Sequence, residues 1–287
     1  MKLETILLYI VNRIDAISPR LAARLSVELL FRPRKSARSK KEKAFWSMGQ
    51  PIEFASGCHG RVFGSGETSI WIVHGWMSRG SKLQNLITAC LETGSKVIVW
   101  DGPGHGDSPG NRTSLAPFTK ILLSDIHNSG KKPDAIIGHS FGGAASAYAC
   151  RLGLNVKLLV LISAPSSCVG AFERYWDILD LGAKARKRFM EIVENETGIE
   201  VDSMSSVNFI GELPQKVLVI HDDEDRMVPL SDATDLRQVR PDIEFLETSQ
   251  LGHNSVLQDP IACSRVSDFL KSNLSLTDKN PLLTTSR

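Results

Sequence analysis

No apolar run in this 287-residue chain is long enough to cross a membrane; the longest candidates, such as Leu158 to Ile162, have the length of a strand. The opening stretch MKLETILLYIVNRIDAISPR has the outline of a secretory leader. Its apolar part, Ile6 to Val11, is short, however, with Glu4, Arg13 and Asp15 close by, and no small-x-small cleavage pattern follows. The five cysteines (Cys58, Cys90, Cys150, Cys168 and Cys263) are odd in number and form no C-x-x-C pair, which excludes a disulfide framework and a zinc-site spacing. A reduced, cytoplasmic protein with packed thiols is expected. Charge imbalance is also missing: 34 Lys and Arg against 32 Asp and Glu leave a net charge of +2, which speaks against a dedicated nucleic-acid binder. There is no internal repeat, no low-complexity segment and no G-x-x-x-x-G-K-[ST] phosphate loop. In DGPGHGDSPG, Asp107 stands where a dinucleotide loop needs its third glycine.

What the chain does have is an ordinary globular composition, 42% hydrophobic and 23% charged, sufficient for one sizeable core. From Pro51 onward β-like and helical patterns alternate. Strands are expected near Ile52–Phe54, Arg61–Phe63, Ile70–Val73, Val97–Trp100, Ala135–Ile137, Leu158–Ile162, Val217–Ile220 and Ile243–Leu246. Several are unbroken apolar runs, as in strands buried on both faces of a parallel sheet. Helical patterns fall at Leu83–Glu92, Leu115–His127, Ala144–Leu152 and Val256–Leu270. The alternation predicts an α/β fold, a mostly parallel central sheet flanked by helices. Two more helical segments, Phe172–Leu181 and Ala183–Glu194, fall between Ser163 and Lys216 and predict a helical insertion, a cap over about residues 165–213.

Ahead of the sheet, Leu3, Leu7, Ile10, Ile14, Ile17 and Leu21 recur at helical spacing, interrupted by Ser18-Pro19, an N-cap followed by a first-turn proline. Two helices are expected there. Arg32 to Lys43 holds seven basic residues and one acid and is expected to be a solvated linker; contact of residues 1–43 with a membrane surface is the less favoured alternative. The chain thus divides into N-terminal helices and basic linker (1–50), a main domain with its insertion (51–271) and a loose tail (272–287).

Within AIIGHSFGGAASA a strand runs into Gly138-His139-Ser140-Phe141-Gly142 and then into a helix rich in alanine. A lone Gly-x-Ser-x-Gly is weak, arising by chance in roughly one chain in ten of this length. Here it sits where a strand turns into a helix, the setting that pushes a serine out on a sharp turn. A serine hydroxyl needs a base to take its proton, and the base needs an acid to hold it. After Ser140 only His221 and His253 remain; His253, in SQLGHNSV between the last strand and the last helix, is the expected base. The acid lies within HDDEDRMVP, among Asp222, Asp223, Glu224 and Asp225; this cluster lacks the glycine and spaced glutamate of a calcium loop.

With HGW (His74 to Trp76), DGPGHGDS (Asp101 to Ser108), GHSFGG, HDDEDRMVP and LGHN in this order, the chain resembles the α/β-hydrolase superfamily over roughly residues 52–270. The resemblance aligns Asp225 with the triad acid, Asp222 replacing a usual glycine, and implies a catalytic triad of Ser140, Asp225 and His253. It also implies an oxyanion hole formed by the backbone N–H groups of Trp76 and Phe141. His74 and His105 are expected to be structural. Trp176 and Phe189, in the insertion, are assigned to the substrate pocket. The expected function is a serine hydrolase that cleaves a small-molecule carboxylic ester through an acyl-enzyme, with no metal or organic cofactor and no nucleic-acid partner. Thioesterase, lactonase or acyltransferase chemistry on the same triad, and a non-catalytic binding protein of this fold, remain alternatives. The oligomeric state is open.

Overall fold

A computed structural model describes residues 3–130 and 132–274 of the chain, with side chains from residue 10 onward; the expected tail beyond Leu274 and the side chains of Leu3 and Leu7 lie outside the described residues. Strands β1 (Gln50–Glu53), β2 (His59–Phe63), β3 (Ser69–Val73), β4 (Lys96–Asp101), β5 (Ala135–His139), β6 (Leu158–Ile162), β7 (Lys216–Asp222) and β8 (Glu244–Thr248) form one sheet in the order β1-β2-β4-β3-β5-β6-β7-β8. The β1–β2 and β2–β4 pairs are antiparallel and all others are parallel. Every residue of β3, β5 and β6 is buried, which is why they read as unbroken apolar runs. Alternate residues feed separate cores: Trp71, Val73, Ile136, Leu159 and Leu161 pack on one face, and Ile70, Ile72, Ile137, Val160 and Ile162 on the other.

The N-terminal helices are α1 (Leu3–Ile17) and α2 (Pro19–Phe31); Ser18 caps α2 by accepting from the Leu21 N–H, and Pro19 opens it. Next come α3 (Lys40–Trp46), α4 (Gln84–Leu91), α5 (Leu115–Asn128), α6 (Phe141–Arg151), α7 (Cys168–Leu179), α8 (Ala183–Thr197), α9 (Leu230–Val239), α10 (Gly252–Ser255) and α11 (Pro260–Leu274). Helix α11 begins four residues later than expected and carries helix three residues past 271. Among the described residues no helix is long and apolar enough to cross a membrane.

Two expectations are corrected. The apolar stripe proposed across α1 and α2 is not the buried face: Ile17 is 87% exposed, and Ile10 and Leu21 are also exposed, while Val11, Ala22, Ala23, Val27 and Phe31 are buried. The break at Ser18 resets the helical phase, and the small Ala22 and Ala23 face the core. The basic stretch is not simply a solvated linker. Ser39 and Glu42 form a capping box that starts α3, Arg38 pairs with Asp101 and Asp107, and Glu42 pairs with Arg79.

Trp176 and Phe189, expected at a substrate pocket, are both buried in the insertion. Phe189 is fully buried, its ring 5.1 Å from Phe172 and 5.5 Å from Trp176, within the cluster formed with α2 and α7. Tyr175 Oη donates to the Ser26 carbonyl at 2.9 Å, Asn12 Nδ2 to Asp180 Oδ2 at 2.9 Å and Gly182 N–H to Asp15 Oδ2 at 2.6 Å, so the N-terminal helices dock on the insertion. Both aromatic rings fill that junction. Phe189→Ala should therefore lower stability by about 3–5 kcal/mol and leave acyl-chain selectivity unchanged, measured by thermal denaturation beside a graded ester panel. Altered selectivity at unchanged melting temperature would return Phe189 to a substrate pocket.

Candidate active site

At the end of β5 the chain makes a turn that few residues tolerate. Ser140 has φ 54 and ψ −125, and its peptide N–H still donates to the Ile162 carbonyl at 2.9 Å, so the strand holds the residue just before the reversal. A Cβ on Gly142 would lie 2.4 Å from the carbonyl oxygens of both Val73 and His74, and one on Gly138 would lie 2.3 Å from the Gly142 oxygen. Only glycines let β3, β5 and α6 approach this closely. The serine side chain is left at the carboxyl edge of the sheet, at the positive end of α6.

Beyond β7 and β8, two loops converge on it. His253 Nε2 lies 2.9 Å from Ser140 Oγ, and His253 Nδ1 lies 2.7 Å from Asp225 Oδ2. Because a carboxylate only accepts, the ring proton sits on Nδ1 and Nε2 is free to accept from the serine hydroxyl. Asp225 and His253 are both buried. Burial would raise the Asp225 pKa, but the bonds from His253 and from the Val228 and Met227 N–H groups outweigh it and hold the carboxyl below its usual range. Asp223 and Glu224 are exposed. His221, the other histidine after Ser140, donates from Nε2 to the Val228 carbonyl at 2.8 Å and lies 3.6 Å from Asp225 Oδ2.

The His74–Met77 turn lies against the serine, since a Cβ on Gly75 would stand 3.0 Å from Ser140 Cβ. The N–H groups of Trp76 and Phe141 have no hydrogen-bond partner among the described residues, and the two rings pack edge to face at 4.9 Å. His74 Nε2 accepts from the Gly102 N–H at 3.0 Å, and His105 Nε2 accepts from the Met77 N–H at 3.1 Å. These bonds fix both tautomers, with Nδ1–H donating to the Gly75 and Pro103 carbonyls respectively. The two histidines fasten the turn after β3 to the loop after β4.

Two residues given no role on sequence grounds also touch this site. His139 Nε2 donates to the His253 carbonyl at 2.9 Å. Asp222, weighed above only as one of four candidate acids, is fully buried and accepts from Glu224, Leu251 and Gly252 N–H groups and from Thr248 Oγ1. The available signal was polarity at the ends of otherwise apolar strands, Gly-His after AII and His-Asp after VLVI. Among the described residues no group of three or more His, Cys, Asp or Glu could hold a metal ion. A depression of about 430 Å³ beside α3 is lined by Arg38, Trp46, Arg79 and Asp107 and by no residue of the Ser140 site; its Arg38 and Arg79 are paired with acids.

Burial pushes His74 down to about 4, and His105 and His139 down to about 3, so all three are neutral near pH 7. An unfolded histidine titrates near ~6.5, and below that pH the unfolded chain takes up protons that the folded one refuses. Their stabilising effect is complete above ~6.5 and is lost as pH falls toward the folded values, by up to ~1.4 kcal/mol per pH unit for each ring. The melting temperature should fall from pH 7 to pH 5, followed by circular dichroism; a flat profile would show that these rings are not held neutral.

A sequence model described as "Alpha/beta hydrolase family" matches residues 72–266, from within β3 into α11. Comparison with curated proteins gives no match. Similar solved structures include the esterase Pf2001 of Pyrococcus furiosus, 18% identical, with a TM-score of 0.63 over 85% of this chain and 98% of that one. A monoacylglycerol lipase of Paleococcus ferrophilus is 22% identical, with a TM-score of 0.60 over 75% of this chain and 99% of that one. Est1E of Butyrivibrio proteoclasticus, solved with ferulic acid, is 17% identical, with a TM-score of 0.63 over 79% and 99%. At these identities the structures share the fold, and the matched segment contains the elbow, both loops and the turn after β3: the chain belongs to the alpha/beta hydrolase family.

Proposed function

We propose that this protein is a serine hydrolase that cleaves a carboxylic ester through an acyl-enzyme intermediate. The observation that carries this is the continuous relay from Ser140 Oγ to His253 Nε2 and from His253 Nδ1 to Asp225 Oδ2, at 2.9 and 2.7 Å, on a backbone held at positive φ. Ser140 Oγ attacks the ester carbonyl while His253 Nε2 takes its proton; the carbonyl oxygen becomes an oxyanion that accepts from the Trp76 and Phe141 N–H groups. Asp225 keeps the imidazole in the required tautomer and stabilises its cation. Collapse breaks the carbon–oxygen bond, the alcohol leaves with the proton from His253, and Ser140 carries the acyl group. Water, deprotonated by His253, attacks the acyl-enzyme; the acid departs and the serine recovers its proton. None of these steps calls on a metal or organic cofactor.

The esterase and lipase named among the structural neighbours support the ester class. The five free cysteines support a cytoplasmic site of action. By the same reading, the insertion between β6 and β7, which α1 and α2 brace, caps the carboxyl edge of the sheet and bounds the acyl pocket.

Ser140→Ala should abolish turnover and labelling by a fluorophosphonate while the fold is retained, because it removes one hydroxyl. Wild-type turnover by this variant on every ester hydrolysed would overturn the mechanism. Asp225→Asn should cost at least ~10²-fold in kcat, since it leaves the imidazole in the wrong tautomer and without its counter-charge. A panel of p-nitrophenyl esters of graded acyl length, with thioesters alongside, reads both variants and separates ester from thioester chemistry.

A further inference from the structure

We infer that Asp222 is a positioning residue for the relay: one oxygen of its carboxylate ties the acid loop to the histidine loop and so sets the Asp225–His253 contact. The inference rests on the ester-hydrolase reading above for its kinetic readout. Asp222 Oδ1 accepts from the N–H groups of Glu224 at 3.1 Å, Leu251 at 3.1 Å and Gly252 at 2.7 Å, and Oδ2 accepts from Thr248 Oγ1 at 2.8 Å. Glu224 directly precedes Asp225, and Gly252 directly precedes His253. A single atom therefore holds the chain one residue ahead of each partner in the 2.7 Å Nδ1–Oδ2 contact.

The place in the fold explains why such a tie is needed. Asp222 and Thr248 are the last paired residues of β7 and β8. Past that rung the Asp223 N–H still donates to the Thr248 carbonyl and the exposed Asp223 carboxylate accepts from Ser249 Oγ and the Gln250 N–H, whereas Asp222 meets the residue directly ahead of each relay partner. The histidine loop then passes through two left-handed residues, Gln250 at φ 64 and Gly252 at φ 68, which turns the Leu251 and Gly252 N–H groups inward. Asp222 is fully buried, so without an acceptor there these amides would be desolvated and unpaired. Three N–H groups converging on one oxygen suit a carboxylate, whose charge strengthens each bond. A glycine, the residue the family pattern carries at this position, offers no such acceptor; this chain has built its own brace between the loops.

The effect should be on turnover rather than binding, because the brace holds the residues next to the base and its acid and not those next to the serine. In the full-length protein, Asp222→Ala should lower kcat by ~10- to 100-fold with KM within ~3-fold, at a temperature where circular dichroism shows it folded. The low-field proton resonance of His253 Nδ1–H should shift or broaden away. Asp222→Asn can still accept the three amides through Oδ1 and donate from Nδ2 to Thr248 Oγ1, so it should recover kcat to within ~5-fold of wild type. Thr248→Val, which leaves the Oδ1 bonds intact, should lower the melting temperature with little loss of kcat. If Asp222→Ala does not fold, Asp222→Ser, too short to reach both loops, should show the same loss. Wild-type kcat and an unmoved low-field resonance in a folded Asp222→Ala or Asp222→Ser would overturn the inference, as would losses that merely track melting temperature across all the variants. A wild-type protein that hydrolyses nothing in the panel and takes no fluorophosphonate would instead overturn the ester-hydrolase reading, and the resonance would still report on the brace.

Discussion

Gly142 stands so close to the end of β3 that a single added carbon would overlap the carbonyl oxygens of Val73 and His74. This approach brings the first turn of α6 against the turn that follows β3, and the rest of the site depends on it. With the two backbones in contact, Gly75 lies against Ser140 and the Trp76 and Phe141 rings pack edge to face at 4.9 Å. The strain at Ser140, a non-glycine residue at φ 54, is sustained because both neighbouring segments are pinned, β5 by its pairing with β6 and α6 by its own ladder. Loosening the glycine contact would relax the serine and draw α6 away from the turn after β3. Ser140 and the turn beside it are thus set by one packing event.

Polar groups that could have been liabilities in this interior act as fasteners. Each of His74, His105 and His139 uses a ring nitrogen to engage the backbone of another segment, and burial keeps all three uncharged. An uncharged imidazole offers one donor and one acceptor, which suits backbone groups that need one of each and avoids the cost of a buried cation. His139 and Asp222 hold consecutive residues of the histidine loop, one at the His253 carbonyl and the other at the Gly252 N–H.

Much of this was legible in the sequence because the signals are local. Apolar runs bounded by Gly, Pro and Asp mark β3 to β7, and the glycines around Ser140 mark a turn that no other residue would permit. Ser18-Pro19 marked the break between α1 and α2. The helix α9 was not foreseen: LSDATDLRQV is mostly polar and short, and its buried Asp232 is tolerated only because Ser166 N–H and Oγ and Arg174 meet it from elsewhere in the chain. The same holds for Phe189. An aromatic residue in an insertion reads alike whether it faces a ligand or a neighbouring helix, and only the packing of α2 against α8 decides between them. The bonds of Asp222 were not legible for a related reason: they reach residues about 30 positions away, a separation at which sequence patterns carry no signal.

The basic stretch before α3 shows how far such tertiary pairing extends from the serine. Asp101, at the end of β4, is fully buried, and burial raises its carboxyl above the usual range. It is accommodated by the N–H groups of Gly80 and Asp107 and by Arg38 Nη2 at 3.3 Å. Ser108 Oγ donates to the Asp101 carbonyl, and Gly106 packs against the carboxylate, where any side chain would collide. The loop ordered in this way carries Gly102, which donates to His74, and His105, which accepts from Met77, on either side of the Trp76 amide. The link from the guanidinium to the turn after β3 is short, and every step in it is a hydrogen bond or an ion pair. An arginine that reads as one solvated charge in a run of seven therefore belongs, through Asp101, to the support of the site.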